Sequence, residues 1–193
     1  MSLLQPTLDT PRLRLLPAQP DLAAAVLDYQ RRNHAHLAPW NPSPGPLFYT
    51  EAYWAMQMRQ AARSWSEGRS ARFLLTPPTE PGRVIGTVSF SNIARGAFQA
   101  CHLGYGIDRA CEGRGLMREA LEAAIRFAFD DLQLHRIQAN YQPHNVRSAA
   151  LLQRLGFVIE GQAKDYLFLD GAWRDHVLTS LHNPDFDSRV LLG

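Results

Sequence analysis

Between Gly115 and Leu132 the apolar residues Leu116, Met117, Ala120, Leu121, Ala124, Ile125, Ala128 and Phe129 recur at three- and four-residue intervals, the spacing of one helical face. A helix of this kind must cover its apolar stripe with another element. Strand-like runs flank it on both sides, so the chain folds as mixed α and β, with this helix against a sheet.

The rest of the chain supplies that sheet. Leu8 to Leu16 opens it, with apolar and charged residues alternating from Arg12 onward, the period of a half-buried strand. Asp21 is placed to cap a helix running through Asn33, and Thr50 to cap a second that ends near Ser66, with Gly68 stopping it. Arg72 to Thr76, Val84 to Asn92 and Gln99 to Ile107 read as three strands of an antiparallel meander, turning at Pro77 to Gly82 and at Arg95-Gly96. After the long helix come a strand at Arg136 to Tyr141 and a shorter helix from Asn145 to Leu155, ended by Gly156. Strands at Phe157 to Ile159, Tyr166 to Leu169 and Trp173 to Leu181 close the order, the last two joined by the hairpin signal Asp170-Gly171.

No repeat or low-complexity tract interrupts this order, and 46% hydrophobic with 20% charged residues is ordinary for a globular domain of 193 residues. Apolar runs such as Leu13 to Pro17 and Ala23 to Leu27 are far short of the roughly 20 residues that span a bilayer. The N-terminus lacks the pattern of a secretory signal, which leads to the expectation of a cytoplasmic protein with no membrane partner. Twenty basic against 18 acidic residues, with scattered arginines, give no footprint for direct nucleic-acid binding. Cys101 and Cys111 form no CxxC pair and have no identifiable base, so neither a zinc site nor a cysteine nucleophile is expected. His34 and His36 lack a third ligand and read as surface histidines; no metal is assigned.

Chemistry concentrates in Glu112-Gly113-Arg114-Gly115-Leu116-Met117, directly before the long helix. Two glycines let a backbone approach a ligand closely, and the free amides at a helix start favour an anion such as pyrophosphate, to which Arg114 can add a charge-assisted contact. The loop has neither the GxxxxGK of a P-loop nor the third glycine of a dinucleotide fingerprint. A second stretch lies about thirty residues on, Ala139 to Phe157, with Asn145 and Ser148 in an NxxS helix that ends in Leu155-Gly156-Phe157.

Together these two stretches resemble the GNAT superfamily of N-acetyltransferases. The likeness extends to its RimJ-type ribosomal-protein-alanine acetyltransferases through Leu37 to Trp40, Phe90 to Asn92, Leu103 to Tyr105, His135 to Ser148, Ala163 to Leu167 and Gly171 to Thr179. The resemblance implies one GNAT domain over residues 1–193, α+β (α/β-like), with a mixed, mostly antiparallel sheet of about seven strands, a splayed parallel pair, and about four flanking helices. It further implies acetyl-coenzyme A as co-substrate, bound by the strand Leu103, Gly104, Tyr105, Gly106, Ile107, by the loop Glu112, Gly113, Arg114, Gly115, Leu116, Met117, and by Asn140, Asn145 and Ser148.

The acceptor implied is a protein N-terminal α-amine, most plausibly the alanine of a ribosomal protein, acted on by a monomer or homodimer. Acetylation of a small amine or antibiotic, or a non-catalytic coenzyme A- or ribosome-binding module, is the alternative. Such an α-amine, with a pKa of about 7.7–8.0, needs far less help to lose its proton than a lysine at about 10.4, so placement and a backbone amide of Gly104, Tyr105 or Gly106 beside the carbonyl are expected to do most of the work. Ser148 is the first candidate for protonating the departing thiolate and Tyr166 the second. Glu112 stands where a carboxylate would repel phosphate unless it turns away or pairs with an arginine. His176 and Trp40 can be placed toward the acceptor side, but each reads more readily as a packed residue, His176 as a sheet histidine satisfied by Asp175 or backbone.

Overall fold

The structure is a computed structural model that describes residues 4–191. Its elements, in order, are β1 (Leu8–Asp9), β2 (Arg14–Pro17), α1 (Ala23–Arg32), α2 (His34–Leu37), α3 (Glu51–Ser66), β3 (Ala71–Thr76), β4 (Gly86–Ala94) and β5 (Ala100–Ile107). These are followed by α4 (Leu116–Arg126), β6 (Arg136–Gln138), α5 (Val146–Arg154), β7 (Val158–Leu169) and β8 (Ala172–His182). The eight strands form one sheet ordered β1-β2-β3-β4-β5-β6-β8-β7. All neighbours are antiparallel except β5 and β6.

The long helix packs its stripe as its spacing requires: Met117, Ala120, Leu121 and Ala124 are buried in one cluster with Phe73, Phe90, Cys101 and Ile137 from the sheet. Its end differs from the regular α-helix expected to Leu132, since Phe127–Asp131 widens into a π-helical turn. On the opposite face α1 and α3 cover only the N-terminal half of the sheet, around Leu74, Met58 and Trp54. Thr50 caps α3 through Tyr53 N (3.3 Å). Asp21 does not cap α1; it lies in a 3-10 turn, Pro20–Leu22, that leads into the helix. Asp170 (φ 48°) and Gly171 (φ 75°) both take the left-handed conformation that a tight two-residue hairpin demands. The two strands expected before this turn are one continuous β7 whose register shifts twice against β8.

The feature that positions the site is the parting of β5 from β6. Their parallel ladder covers Ala100↔Arg136, Cys101↔Ile137 and His102↔Gln138, and stops there. Beyond it β5 continues to Ile107 beside β4, while the chain after β6 bends toward β8 through a Tyr141↔Val177 bridge.

Candidate active site

Within a strand, N–H and C=O groups of alternate residues point to the same edge. The Gln99 carbonyl accepts from His135 N (2.8 Å) on the β6 side, whereas Asp108 N donates to Ile85 O (2.7 Å) on the β4 side. The odd-numbered residues Leu103, Tyr105 and Ile107 therefore turn their backbone groups into the gap where β6 has departed. Of the three amides expected beside the reacting carbonyl, that of Tyr105 faces the gap; those of Gly104 and Gly106 face β4. This parity comes from pairing, which the sequence alone does not specify.

Below the gap lies the glycine loop. Gly113 and Gly115 both have φ 74°, the left-handed region where a side chain is strained, and nothing occupies the 4 Å around a Cβ built on Gly113. Gly115 is the N-cap of α4 and brings no side chain to the helix start, so the first-turn amides are open to a ligand. The loop is braced from behind: Arg12 Nη1 donates to the Arg114 carbonyl (2.9 Å), and Arg12 Nε holds Glu119 of α4 (2.7 Å). Burial alone would raise the Glu119 carboxyl, but hydrogen bonds from Thr10 and from the Arg12 backbone and side chain outweigh it and hold it below its ordinary value. The Arg114 side chain itself is exposed.

Glu112 meets the condition its position sets. Its carboxylate pairs with Arg147 of α5 and lies 3.5 Å from His36 Nε2 of α2, so its charge is spent on neighbours rather than on the loop. On α5, Asn145 caps the helix by accepting from Ser148 N (3.1 Å). The Ser148 hydroxyl lies 2.6 Å from the Tyr105 phenol oxygen. Burial raises the Tyr105 phenol to about 12, with Tyr141 adding to the shift and the Ser148 hydrogen bond opposing it. Tyr105 was named for its backbone; its side chain is a further candidate, and the pairing with a residue 43 positions away leaves no trace in sequence.

Tyr166 is held elsewhere: Asn140 Nδ2 donates to its oxygen (3.1 Å), and its ring tilts against His176 at 5.3 Å. Asn140 Oδ1 accepts from Thr179 N (3.2 Å). His176 is buried, with Nδ1 3.0 Å from the Arg174 carbonyl, as expected of a backbone-satisfied sheet histidine, and it also borders the cleft. Trp40 packs beside His144, and Gln142 Nε2 donates to Pro39 O (2.8 Å), tying the segment after α2 to the far wall. Cys101 and Cys111 are buried, and burial pushes the Cys101 thiol up to about 12.

One cleft of about 1590 Å³ gathers these residues, running from the glycine loop past the parted strands to α1 and α3. It takes in every expected donor residue except Arg114, and it does not reach Tyr166. Among the described residues five arginines line it (Arg72, Arg109, Arg118, Arg147, Arg154) against one carboxylate, Glu112. Among the described residues no group of three His, Cys, Asp or Glu side chains is placed to hold a metal ion.

An unpaired strand edge, a loop with two left-handed glycines at a helix start and an arginine-rich cleft between them are the features that acyl transfer from coenzyme A requires. Residues 12–158 match the family model described as the acetyltransferase (GNAT) domain, and the chain belongs to that family. It is an acetyl-coenzyme A-dependent N-acetyltransferase. Over 161 residues it is 46% identical to the ribosomal protein uS5-alanine N-acetyltransferase of Escherichia coli K12, covering 83% of this chain and 82% of that one. The crystal structure of the ribosomal-protein-S5-alanine acetyltransferase of Vibrio fischeri superposes with a TM-score of 0.90 at 37% identity, covering 95% of this chain and 100% of the other. RimJ of Mycobacterium smegmatis, solved with a coenzyme A disulfide, gives 0.83 at 30% identity over 91% of this chain and 84% of its own.

Proposed function

We propose that residues 1–193 act as one domain that acetylates the N-terminal α-amine of a ribosomal protein, an alanine of the uS5 type, in the cytoplasm. The observation that carries this reading is the 46% identity to the uS5-alanine enzyme, spread over most of both chains. The cleft agrees with it. A polyamine acceptor calls for carboxylates along its path, and the one carboxylate that borders the cleft, Glu112, is already paired with Arg147.

Acetyl-coenzyme A supplies the activated acetyl thioester. Gly113, Gly115 and the first amides of α4 suit its pyrophosphate, and the gap-facing backbone of Leu103, Tyr105 and Ile107 suits its pantetheine arm. A gap-facing amide there also provides the donor that stabilises charge developing on a carbonyl oxygen. Tyr105 carries its proton at neutral pH as an ordinary phenol does, burial raises it further, to about 12, and it shares a short hydrogen bond with Ser148. That pair can pass a proton from the Tyr105 or Ser148 oxygen to a leaving thiolate. Tyr166, which does not line the cleft and is tied to Asn140 at its border, is the weaker candidate.

Thiol release from acetyl-coenzyme A, measured with peptides that begin with Ala, Ser or Met, an N-terminally blocked lysine peptide and spermidine, tests the acceptor. Turnover restricted to Ala-starting peptides is the expected result. Turnover on spermidine alone would replace the reading with a small-amine acetyltransferase.

A further inference from the structure

On the sheet face that α1 and α3 cover, the cleft holds a cation, Arg72, that has no counter-charge among the described residues. Arg72 on β3 borders the cleft, yet among the described residues no carboxylate comes within 4.0 Å of its guanidinium and none of its side-chain nitrogens donates a hydrogen bond. Burial lowers the pKa of this guanidinium. Arg72 is half-buried and its side-chain nitrogens still meet solvent in the cleft, so its charge is available to an incoming anion. By contrast Arg32, Arg136 and Arg147 each have a carboxylate within reach.

The sheet sets where Arg72 stands relative to the reacting end. The register Arg72↔Ser89↔Gly104 puts these three residues in one row on the same face, next to the row Leu74↔Thr87↔Gly106. Gly104 and Gly106 leave that face without side chains; a Cβ on them would meet Ser89 Oγ at 3.2 Å and Tyr29 Oη at 3.3 Å. A shallow trough thus leads from the β5–β6 gap across β5 and β4 to Arg72. Two strand spacings are about 9–10 Å, and an extended peptide advances about 3.3 Å per residue. A chain whose α-amine sits at the gap therefore passes Arg72 with its third or fourth residue.

We propose that Arg72 is a specificity-determining residue that pairs with an acidic side chain at the third or fourth position of the acceptor peptide. The inference rests on the acceptor being a peptide N-terminus. It assigns selection of the first residue to the gap and selection of the following sequence to charge.

The test uses Ala-starting peptides of one sequence carrying Glu, Gln or Lys in turn at residue 3 or 4, with the wild-type chain and with Arg72→Gln and Arg72→Glu. For the wild type, Glu at one of these positions should lower the peptide KM about ten- to fiftyfold relative to Gln, with little change in kcat. Arg72→Gln should abolish that preference, Arg72→Glu should transfer it to Lys, and the KM for acetyl-coenzyme A should stay constant in both. Equal KM values for Glu, Gln and Lys peptides in the wild type would overturn the inference while leaving the peptide reading intact. Loss of acetyl-coenzyme A binding in Arg72→Gln would also overturn it, by showing that the residue serves the fold. Failure of every α-amine peptide would overturn the acceptor reading and this inference together.

Discussion

The Tyr105 phenol and the Ser148 hydroxyl share a 2.6 Å hydrogen bond between the free end of β5 and the first turn of α5. Each group thereby orients the other at the mouth of the gap. If the two act as one proton relay, their single losses cannot add. Ser148→Ala and Tyr105→Phe should each lower kcat about ten- to a hundredfold with the donor KM nearly unchanged. The double variant should fall no further than the worse single one. Steady-state thiol release decides this, and additive losses would show that the two hydroxyls act separately.

Gly115 separates backbone strain from charge. Its φ of 74° disfavours any side chain, but a Cβ there would find its nearest neighbour, Arg12 Nη2, at an unstrained 3.6 Å. Gly115→Ala should therefore cost about 1–2 kcal/mol of stability from conformation alone and weaken coenzyme A binding modestly. Gly115→Glu adds a carboxylate at the helix start and should weaken binding at least tenfold beyond the alanine variant. Calorimetric titration of coenzyme A into both variants measures the difference.

Glu112 holds Arg147 in an ion pair at the border of the cleft. Replacing it with Gln frees that guanidinium and removes the one carboxylate bordering the cleft. The KM for acetyl-coenzyme A should fall several-fold at low salt and converge on the wild-type value as ionic strength rises, since the freed arginine is largely exposed. A KM that rises instead would show that the Glu112 pairing shapes the loop.

Acid stability should depend on Asp108, where β5 ends. Burial pushes its carboxyl up, but Arg32 Nε (2.7 Å), the Ala110 amide (3.0 Å) and Asn33 together bring it below its ordinary value. A lowered carboxyl contributes stability above its unfolded pKa of about 3.9 and loses that contribution as pH falls through the folded value. Asp108→Asn should thus be about 2–3 kcal/mol less stable at pH 7 and lose less on acidification from pH 5 to pH 3 than the wild type. Denaturant titrations at a series of pH values report both.

Periodicity and turn chemistry made much of this molecule readable. The α4 stripe, the Thr50 cap, the Asp170-Gly171 turn and the glycine loop all follow from residues close together in the chain, where local geometry permits few solutions. The start of α5 at Asn145 is legible for the same reason. What escaped depends on residues that only the sheet brings together. Arg12 reaches Glu119 and Arg114 across more than a hundred positions, and Arg72 gains its place in the trough from the β3–β4–β5 register. The π-helical end of α4 carries the same apolar spacing as a regular helix, and the continuous β7 absorbs irregular residues by shifting register. Neither outcome is encoded in a short window.

The early end of the β5–β6 ladder has a consequence for how such proteins diverge. Because the edge it exposes consists of main chain, its hydrogen-bonding capacity is the same whichever residues occupy 103, 105 and 107, provided none is proline. Donor recognition through such an edge would be inherited through topology rather than through letters. Two sequences could then lose most of their shared identity along this strand and still present the same row of main-chain groups.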